Sequence, residues 1–227
     1  MAWQCTGATN TALITNLHKA GIVTDMRVVD AMKKMDRKFY CPTGANPYED
    51  SPQGIGHNVT ISAPHMHAMC LECLSAHLKP GMRGLDVGSG TGYFTVAMAL
   101  MVGASGKAVG VEHVPQLVIT SIENIKNDGK TQLLESGSVL IKEGDGRLGV
   151  PEHGPYDAIH VGAAAPSLPR ALVEQLKPGG RLIIPVGVNT QELLQVDKGP
   201  DGRVTQKSLT GVRYVPLTDL SKQVTGK

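Results

Sequence analysis

The sequence has little of several features that mark specialised classes of protein. Charged residues make up 19% of its 227 residues, aromatic residues make up 4%, and the formal net charge is only +2. No dense run of lysine and arginine is present, so the charge pattern predicts no nucleic-acid partner. The four cysteines are too few and too unevenly spaced for a disulfide framework, and we expect reduced thiols.

Targeting and membrane signals are also missing. Residues 1–5 have neither the basic flank nor the apolar core of a signal peptide. The long uncharged run at residues 87–106 contains five glycines, which argues against a membrane helix. We therefore expect a cytoplasmic protein without a membrane partner.

Apolar, strand-like runs alternate with helical patterns through the middle of the chain. Near-continuous apolar strands are typical of parallel sheets covered on both faces, so we predict an α/β fold with a doubly wound, mostly parallel sheet. The length suits a single domain, residues 1–227. Within it, residues 1–80 hold helices and a loop, residues 81–187 the core, and residues 188–227 a hairpin and tail.

The N-terminal region predicts helices and one long loop. Two helices precede the sheet, the first capped by Thr9 or Asn10 and the second by Thr24 or Asp25. Prolines and glycines between residues 39 and 56 forbid regular structure there, and loops of this length are often functional. The next helix is predicted from about His65 to Leu78, with these residues on its buried face: Met66, Met69, Cys70, Cys73 and Leu74.

The last part of the chain changes pattern. A further helix is predicted to carry Leu168, Leu172 and Leu176, and the turn at residues 177–180 to follow it. A second turn, at residues 198–202, predicts a hairpin. Because apolar residues continue to residue 215, Val212, Tyr214 and Val215 are predicted to add a last strand, and the edge of the sheet is predicted to be antiparallel.

Residues 85–92, with the sequence LDVGSGTG, organise the predicted fold. An apolar strand runs into glycines at positions 88, 90 and 92 and then into a helical pattern. Glycines without Cβ atoms let a ligand lie against the backbone at a helix N-terminus. The turn therefore predicts a nucleotide-like ligand.

Spacing and nearby carboxylates favour S-adenosylmethionine over a dinucleotide or a plain tight turn. A dinucleotide fingerprint needs its third glycine three residues after the second, where this chain has Tyr93. Asp86 can accept bonds from the turn or from a ligand ammonium. Glu112 ends the next strand, where a carboxylate can accept two ribose hydroxyls. Asp145 follows the third strand and is expected to meet an adenine amino group.

Histidines and cysteines that follow the loop raise the alternative of a metal site. They are His57, His65, His67, Cys70 and Cys73. A single C-x-x-C pair lacks the second pair of ligands that structural zinc sites need, and both cysteines fit an apolar helix stripe. We expect core thiols and no metal.

Several segments resemble the seven-stranded, S-adenosylmethionine-dependent methyltransferases, whose fold is Rossmann-like. They are LDVGSGTG, Glu112, EGDG (143–146), YDAI (156–159) and LKPGGRL (176–182). Within that superfamily the chain is similar to the protein-L-isoaspartate (D-aspartate) O-methyltransferases, from residues 2–3 to residues 216–219. The segments that carry this likeness are NPY (46–48), DSP (50–52), TISAPHMHA (60–68) and HVGAAAP (160–166).

The resemblance implies a repair reaction. A methyl group passes from S-adenosylmethionine to the α-carboxylate of an L-isoaspartyl residue, and in some cases of a D-aspartyl residue, in a damaged protein, and the ester collapses to a succinimide. The expected partners are peptides and proteins that contain isoaspartate, and the enzyme is expected to be a monomer. The acceptor carboxylate has a reference pKa of about 4, so it needs no general base.

The resemblance also places functional residues. Ser62 falls at the catalytic position and is expected to orient the acceptor carboxylate. The residues placed in the cofactor pocket are Val59, Thr60, Ile61, Ser62, His67, Asp86, Gly88, Ser89, Gly90, Thr91, Glu112, His113, Asp145, Gly146, Thr218 and Gln223. Two alternatives stay open at this point: Ser62 as a helix N-cap, since it shortly precedes a proline, and His67 as a satisfied helix histidine.

Two other functions are compatible with the same glycine turn. One is a methyltransferase of this fold that acts on a small molecule or RNA. The other is a protein that binds S-adenosylmethionine without turnover and acts through its partners. Intact segments at residues 60–68 and 85–92 argue against the second, and the lack of a basic, aromatic acceptor surface argues against RNA.

Overall fold

The structure is a computed structural model that describes residues 5–225. The predictions that concern residues 1–4, including the start of the family resemblance at residues 2–3, lie outside the described residues. Within the described part, no helix is both long enough and apolar enough to cross a membrane. The prediction of one domain over residues 1–227 stays a prediction.

A seven-stranded sheet forms the centre of the structure. Its strands, in chain order, are β3 (Arg83–Val87), β4 (Lys107–Glu112), β5 (Val139–Glu143), β6 (Tyr156–Val161), β7 (Leu176–Val186), β8 (Gln191–Lys198) and β9 (Val204–Val212). They lie in the spatial order β5-β4-β3-β6-β7-β8-β9. The first five are parallel, and β8 and β9 are antiparallel. A separate two-stranded ribbon pairs β1 (Gln53–Gly54) with β2 (Thr60–Ile61).

Helices cover both faces of this sheet, as the alternating pattern predicts. They are α1 (Asn10–Lys19), α2 (Met26–Lys34), α3 (Pro64–Leu74), α4 (Tyr93–Val102), α5 (Pro115–Asn127), α6 (Thr131–Glu135), α7 (Arg170–Gln175) and α8 (Leu220–Thr225). Neighbouring strand residues point to opposite faces, so Ile183 joins the core beneath α1–α4 while Ile184 joins the core beneath α7. The doubly wound fold is therefore confirmed.

The N-terminal helices begin at two of the predicted caps. The Thr9 hydroxyl accepts a bond from the Ala12 amide, and the Asp25 carboxylate accepts one from the Arg27 amide. Each satisfies an amide that has no partner within its helix. Helix α1 packs on α2, and α2 packs on α4, which has an apolar surface on nearly every side and is buried in all but one residue.

Helix α3 is shorter than predicted, and its buried face differs. It ends at Leu74 and continues only as a 3₁₀ turn over Ser75–His77. Met66, Met69 and Cys73 are only half-buried. The fully covered residues of this helix are Pro64, His67, Ala68, Cys70, Leu71 and Leu74. The prediction missed His67 because a polar residue was not assigned to the core.

Two predictions in the last third of the chain were wrong. The residues at 177–180 lie inside β7, which begins at Leu176, so α7 carries Leu172 but neither Leu168 nor Leu176. Up to residue 225, no strand follows β9, which already ends at Val212, and Pro216 makes only a single bridge to Ala164. Residues of β9 are exposed on both faces, so the apolar alternation that the prediction relied on is weak there.

The strand order creates a site. The order in which successive strands are added to the sheet reverses at β3. From β3 to β5 the strands are added on one side of β3, and from β6 onward they are added on the other side. Helices that leave the carboxyl ends of such strands diverge and open a crevice, which is where ligands bind in this kind of sheet. Residues 88–92 begin at the carboxyl end of β3 and lie in that crevice.

Candidate functional site

A cleft lies above the carboxyl ends of β3, β4 and β6, and its two halves are continuous. One half contains Glu112 and Asp145, the other contains Asp86 and His67, and they share Gly88 and Gly90. All sixteen residues predicted for the cofactor pocket line one half or the other. They are Val59, Thr60, Ile61, Ser62, His67, Asp86, Gly88, Ser89, Gly90, Thr91, Glu112, His113, Asp145, Gly146, Thr218 and Gln223.

The glycine turn has a backbone that side chains would disfavour. Gly88, Gly90 and Gly92 have φ angles of 71°, 50° and 85°, all in the left-handed region. A Cβ on Gly90 would lie 3.3 Å from the Ile55 side chain across the cleft. The Ser89 hydroxyl is buried and has no hydrogen-bond partner in the described part of the chain. An unpaired buried hydroxyl on the cleft wall is available for a ligand.

Glu112 is held in place by backbone amides. Its Oε2 accepts a bond from the Gly90 amide at 3.0 Å, and its Oε1 accepts one from the Val114 amide at 3.0 Å. The residue is only 6% exposed, yet it lines the cleft. Each carboxylate oxygen has a second acceptor position, so this rigid group can accept two further bonds from a pair of hydroxyls.

Asp86 is more enclosed than the sequence indicates. Thr95 donates its hydroxyl to Oδ2 at 2.6 Å, and His160 Nδ1 lies 2.8 Å from Oδ1. Phe94 stacks on the His160 ring with 3.7 Å between the ring centroids. Both partners are buried, so they fix the carboxylate on the cleft wall.

Two chain segments close the Asp145 half of the cleft. Arg147 donates to both oxygens of Asp145 and, at 2.7 Å, to Asp219, so it ties the C-terminal segment to the sheet. The hydrogen bonds from Arg147 hold the pKa of Asp145 below its usual value. Gln223 donates to the His57 carbonyl at 2.9 Å, and the Asn58 side chain donates to the Gln223 carbonyl at 3.1 Å.

Ser62 lies where this cleft meets a second one, and it does not cap α3. The N-cap position belongs to Ala63, and no side chain caps the helix, because Pro64 takes the first helical position. The second cleft shares Thr60 and Ser62 with the first; its lining is Pro52, Thr60, Ser62, Ala63, His65, Met66, Gly162, Gly211, Val212, Arg213, Tyr214 and Val215. Ser62 therefore faces both spaces.

His67 also lies on the cleft wall, and its electrostatic surroundings are unusual. Burial, together with the charge of Arg37, holds the pKa of His67 well below its usual value, so the ring is neutral. Its ring stacks on Tyr93 with 5.0 Å between centroids. Nδ1 lies 3.4 Å from Arg37 Nη1, and an arginine can only donate, so the ring proton is on Nε2.

The burial of neutral His67 makes stability depend on pH. The unfolded chain takes up a proton at His67 below about pH 6.5, while the folded protein does not, so stability falls as the pH is lowered. Between about pH 7.5 and about pH 5.5, wild type should lose about 1.4 kcal/mol more unfolding free energy than His67→Phe. Urea unfolding at both pH values measures this, and equal losses in the two proteins would contradict it.

No group of three or more histidine, cysteine or acidic side chains within residues 5–225 is arranged to hold a metal ion. The four cysteines, all within that range, are unpaired. Cys70 is fully covered, and burial raises the pKa of its thiol to about 12. It is an inert core thiol, as predicted.

Several cleft residues were missed by sequence reasoning. They are Ile55, Tyr93, Phe94, Val111, His160, Gly162, Ala163, Val215, Pro216 and Leu217. His160 lies near the carboxyl end of β6, opposite Asp86 in the parallel register of β3 and β6, so it could have been placed near Asp86 from the strand order alone. The role of Arg37, described below, has no local sequence signal.

The fold and the cleft together define a class of protein. A doubly wound sheet, a glycine turn after its central strand and a carboxylate at the end of the next strand are the features of a Rossmann-like, S-adenosylmethionine-dependent methyltransferase. The sequence model of the family described as protein-L-isoaspartate (D-aspartate) O-methyltransferase matches residues 8–222. The chain belongs to that family.

Individual relatives agree with this assignment. The chain is 56% identical to protein-L-isoaspartate O-methyltransferase 1 of Arabidopsis thaliana over 217 residues, which cover 96% of this chain and 94% of the relative. It is 51% identical to the protein-L-isoaspartate O-methyltransferase of Caenorhabditis elegans, with 98% of each chain covered. Among solved structures, the chain is similar to a Plasmodium falciparum protein described as a protein-L-isoaspartate O-methyltransferase, in complex with S-adenosyl-L-homocysteine. The two structures superpose with a TM-score of 0.86 at 40% sequence identity, and the match covers 93% of this chain and 99% of that chain.

Proposed function

We propose that this enzyme transfers a methyl group from S-adenosylmethionine to the free α-carboxylate of L-isoaspartyl residues, and of D-aspartyl residues, in damaged proteins. The product is a methyl ester that converts to a succinimide. The observation that carries the proposal is that a nucleotide-type cleft meets, at Ser62, a second cleft that the cofactor residues do not fill.

The residues of the first cleft fit S-adenosylmethionine. Glu112 offers two acceptor positions to the ribose hydroxyls, and the unpaired Ser89 hydroxyl offers a bond to a polar ligand group. Gly88 and Gly90 leave room for the ligand beside the backbone. Asp145, which lines the same half of the cleft as Glu112, would accept a bond from the adenine amino group. When it is bound, S-adenosylmethionine supplies a methyl group on a positively charged sulfur.

The acceptor cleft orients the acceptor carboxylate and does not need to provide an acid or a base. A carboxylate with a reference pKa of about 4 is already ionised near neutral pH, so no group has to remove a proton before it attacks a methyl carbon. Ser62 donates its hydroxyl to one carboxylate oxygen and leaves the other aimed at the first cleft. The gain in rate comes from holding the reacting atoms in line.

Side chains around Ser62 favour an anionic acceptor. His65 and Arg213 line the same cleft, and both can carry positive charge. His65 Nδ1 lies 2.8 Å from Asp50 Oδ1, which also accepts a bond from the His65 amide. These bonds to His65 outweigh burial and lower the pKa of Asp50, so the aspartate stays ionised and fixes the imidazole.

The same enzyme is proposed to act as a monomer in the cytoplasm, without nucleic-acid or membrane partners. Both clefts are built from one chain, which supports a monomer. Four unpaired cysteines suit a reducing compartment. The net charge of +2 does not favour an anionic polymer as a partner.

A pair of matched peptides tests the assignment. With methyl-labelled S-adenosylmethionine, the peptide that contains isoaspartate should become labelled, and the same peptide with normal aspartate should not. The label should be released as methanol in base, because an ester is labile and an N-methyl group is not. Equal labelling of both peptides, or none, would overturn the assignment, and label in an added RNA would support the alternative acceptor.

A further inference from the structure

Arg37 is a fully buried cation directly behind the cleft. Its side chain is 0% exposed, and its Nη2 donates to the Ser62 carbonyl at 2.7 Å. The Tyr93 ring centroid lies 5.5 Å from its guanidinium carbon. Among the ion pairs of residues 5–225, none involves Arg37, and its Nε has no hydrogen-bond partner.

In the described part of the chain, the buried guanidinium of Arg37 has no carboxylate that pairs with it, and such a charge destabilises the folded protein. Removing an ion from water into a protein interior is strongly unfavourable unless an opposite charge is close. Asp50 acts on Arg37 electrostatically, and its buried Oδ2 has no hydrogen-bond partner, while its Oδ1 is engaged by His65. Within residues 5–225, no carboxylate forms an ion pair with Arg37, and the contact that links its charge to the cleft is the one with His67.

His67 connects this charge to the cleft. It accepts from Arg37 at Nδ1, so Nε2 is its donor, and no residue of the described chain accepts that proton. The ring forms part of the cleft wall beside the glycine turn. A neutral imidazole backed by a guanidinium is a stronger donor than an isolated one, because the charge polarises the ring.

The position of His67 indicates which carboxylate it meets. It lines the half of the cleft that holds Asp86, Ser89 and Thr91, and it does not line the acceptor cleft. Asp86 supplies a negative group on the same wall. This half therefore presents one anionic and one donor group, the arrangement that suits the ammonium and carboxylate of an amino acid.

We infer that Arg37 is a positioning residue for the methyl donor, and that through His67 it recognises the carboxylate of the donor's amino-acid moiety. This inference rests on the proposed function, because it takes the cleft to hold S-adenosylmethionine. It adds the specific statement that Arg37, which touches neither cleft, controls how strongly that ligand's amino-acid end is bound.

Two ligands that differ in the amino-acid end test the inference by calorimetry. S-Adenosylhomocysteine contains that end, and methylthioadenosine has the same nucleoside and thioether without it. In Arg37→Met, the affinity for S-adenosylhomocysteine should fall about tenfold or more, the size of one charged hydrogen bond, while methylthioadenosine binds within about twofold of wild type. Arg37→Lys should recover part of the loss.

The controls separate this effect from damage to the fold. Arg27→Met removes another arginine, which donates to the Leu78 and Ser75 carbonyls away from the cleft, and it should leave the ratio of the two affinities unchanged. His67→Phe keeps a ring against Tyr93 but removes the donor, and it should reproduce the selective loss even where Arg37→Met fails to fold.

Each outcome then has one meaning. If wild type binds neither ligand, the proposed function fails and the inference fails with it. If wild type prefers S-adenosylhomocysteine and His67→Phe keeps that preference, the inference is overturned while the proposed function stands. An equal loss of both ligands in a folded Arg37→Met protein would also overturn it, since a merely structural role predicts that result.

Discussion

Replacing Glu112 with alanine should weaken the binding of S-adenosylhomocysteine by about 100-fold or more, since two hydrogen bonds to a charged group would be lost. The carboxylate is nearly buried and already held by two amides, so it loses little freedom when a ligand binds. Its removal also leaves the Gly90 amide without its acceptor, which loosens the turn on which the ligand lies. Calorimetric titration of purified protein measures the change.

Glu143 offers a matched control for this substitution. It is the residue paired with Glu112 in the parallel register of β4 and β5, but it is exposed and lines neither half of the cleft. Glu143→Ala should therefore bind as wild type does. Glu112→Asp keeps the charge on a shorter side chain and should lose less than Glu112→Ala. Similar affinities in the Glu112→Ala and Glu143→Ala proteins would show that Glu112 does not hold the ligand.

The central part of the site could be predicted because local sequence and sheet geometry agree there. Glycines at alternate positions require the left-handed backbone that the structure has at Gly88, Gly90 and Gly92. Carboxyl ends of parallel strands meet at one edge of a sheet, which brings Glu112 and Asp145 to the same cleft. No contact between distant segments had to be known.

Other parts of the site depend on contacts that the sequence does not display. Arg37 reaches His67, 30 residues away along the chain, from a 3₁₀ turn over Arg37–Tyr40 that packs on α5. Polar residues of this kind look like solvent-exposed positions when the sequence is read locally. Asp86 was predicted at the cleft, but its buried partners Thr95 and His160 were not.

The local signal at Ser62 was present but was misread as a possible cap. Proline favours the first helical position, so the residue immediately before Pro64 takes the N-cap, and that residue is Ala63. Ser62 lies one residue further back. Its hydroxyl makes no capping hydrogen bond to α3, so a substitution of Ser62 tests its functional role without removing a helix cap.

Ser62→Ala should lower kcat for methylation of an isoaspartyl peptide by about 10- to 100-fold, the effect of removing one hydrogen bond to a charged group in the transition state. Because Ser62 does not cap α3, the unfolding free energy should fall by no more than about 1 kcal/mol, the contribution of one hydrogen bond with Tyr214. The affinity for S-adenosylhomocysteine should change little, since Glu112 and the glycine turn are untouched. Steady-state kinetics at saturating peptide, urea unfolding and calorimetry measure these three quantities.

Tyr214 provides the control that isolates the Ser62 hydroxyl. The Tyr214 hydroxyl is hydrogen-bonded with the side chains of Ser62 and Cys70, and burial raises its pKa well above the usual value, so it stays protonated. Tyr214→Phe removes this neighbour but leaves the Ser62 hydroxyl available, and it should keep most of the activity. If Ser62→Ala retains full turnover and loses only stability, Ser62 acts through the fold. If Tyr214→Phe lowers kcat as much as Ser62→Ala does, the acceptor is oriented by the hydrogen-bonded pair of Ser62 and Tyr214 and not by Ser62 alone.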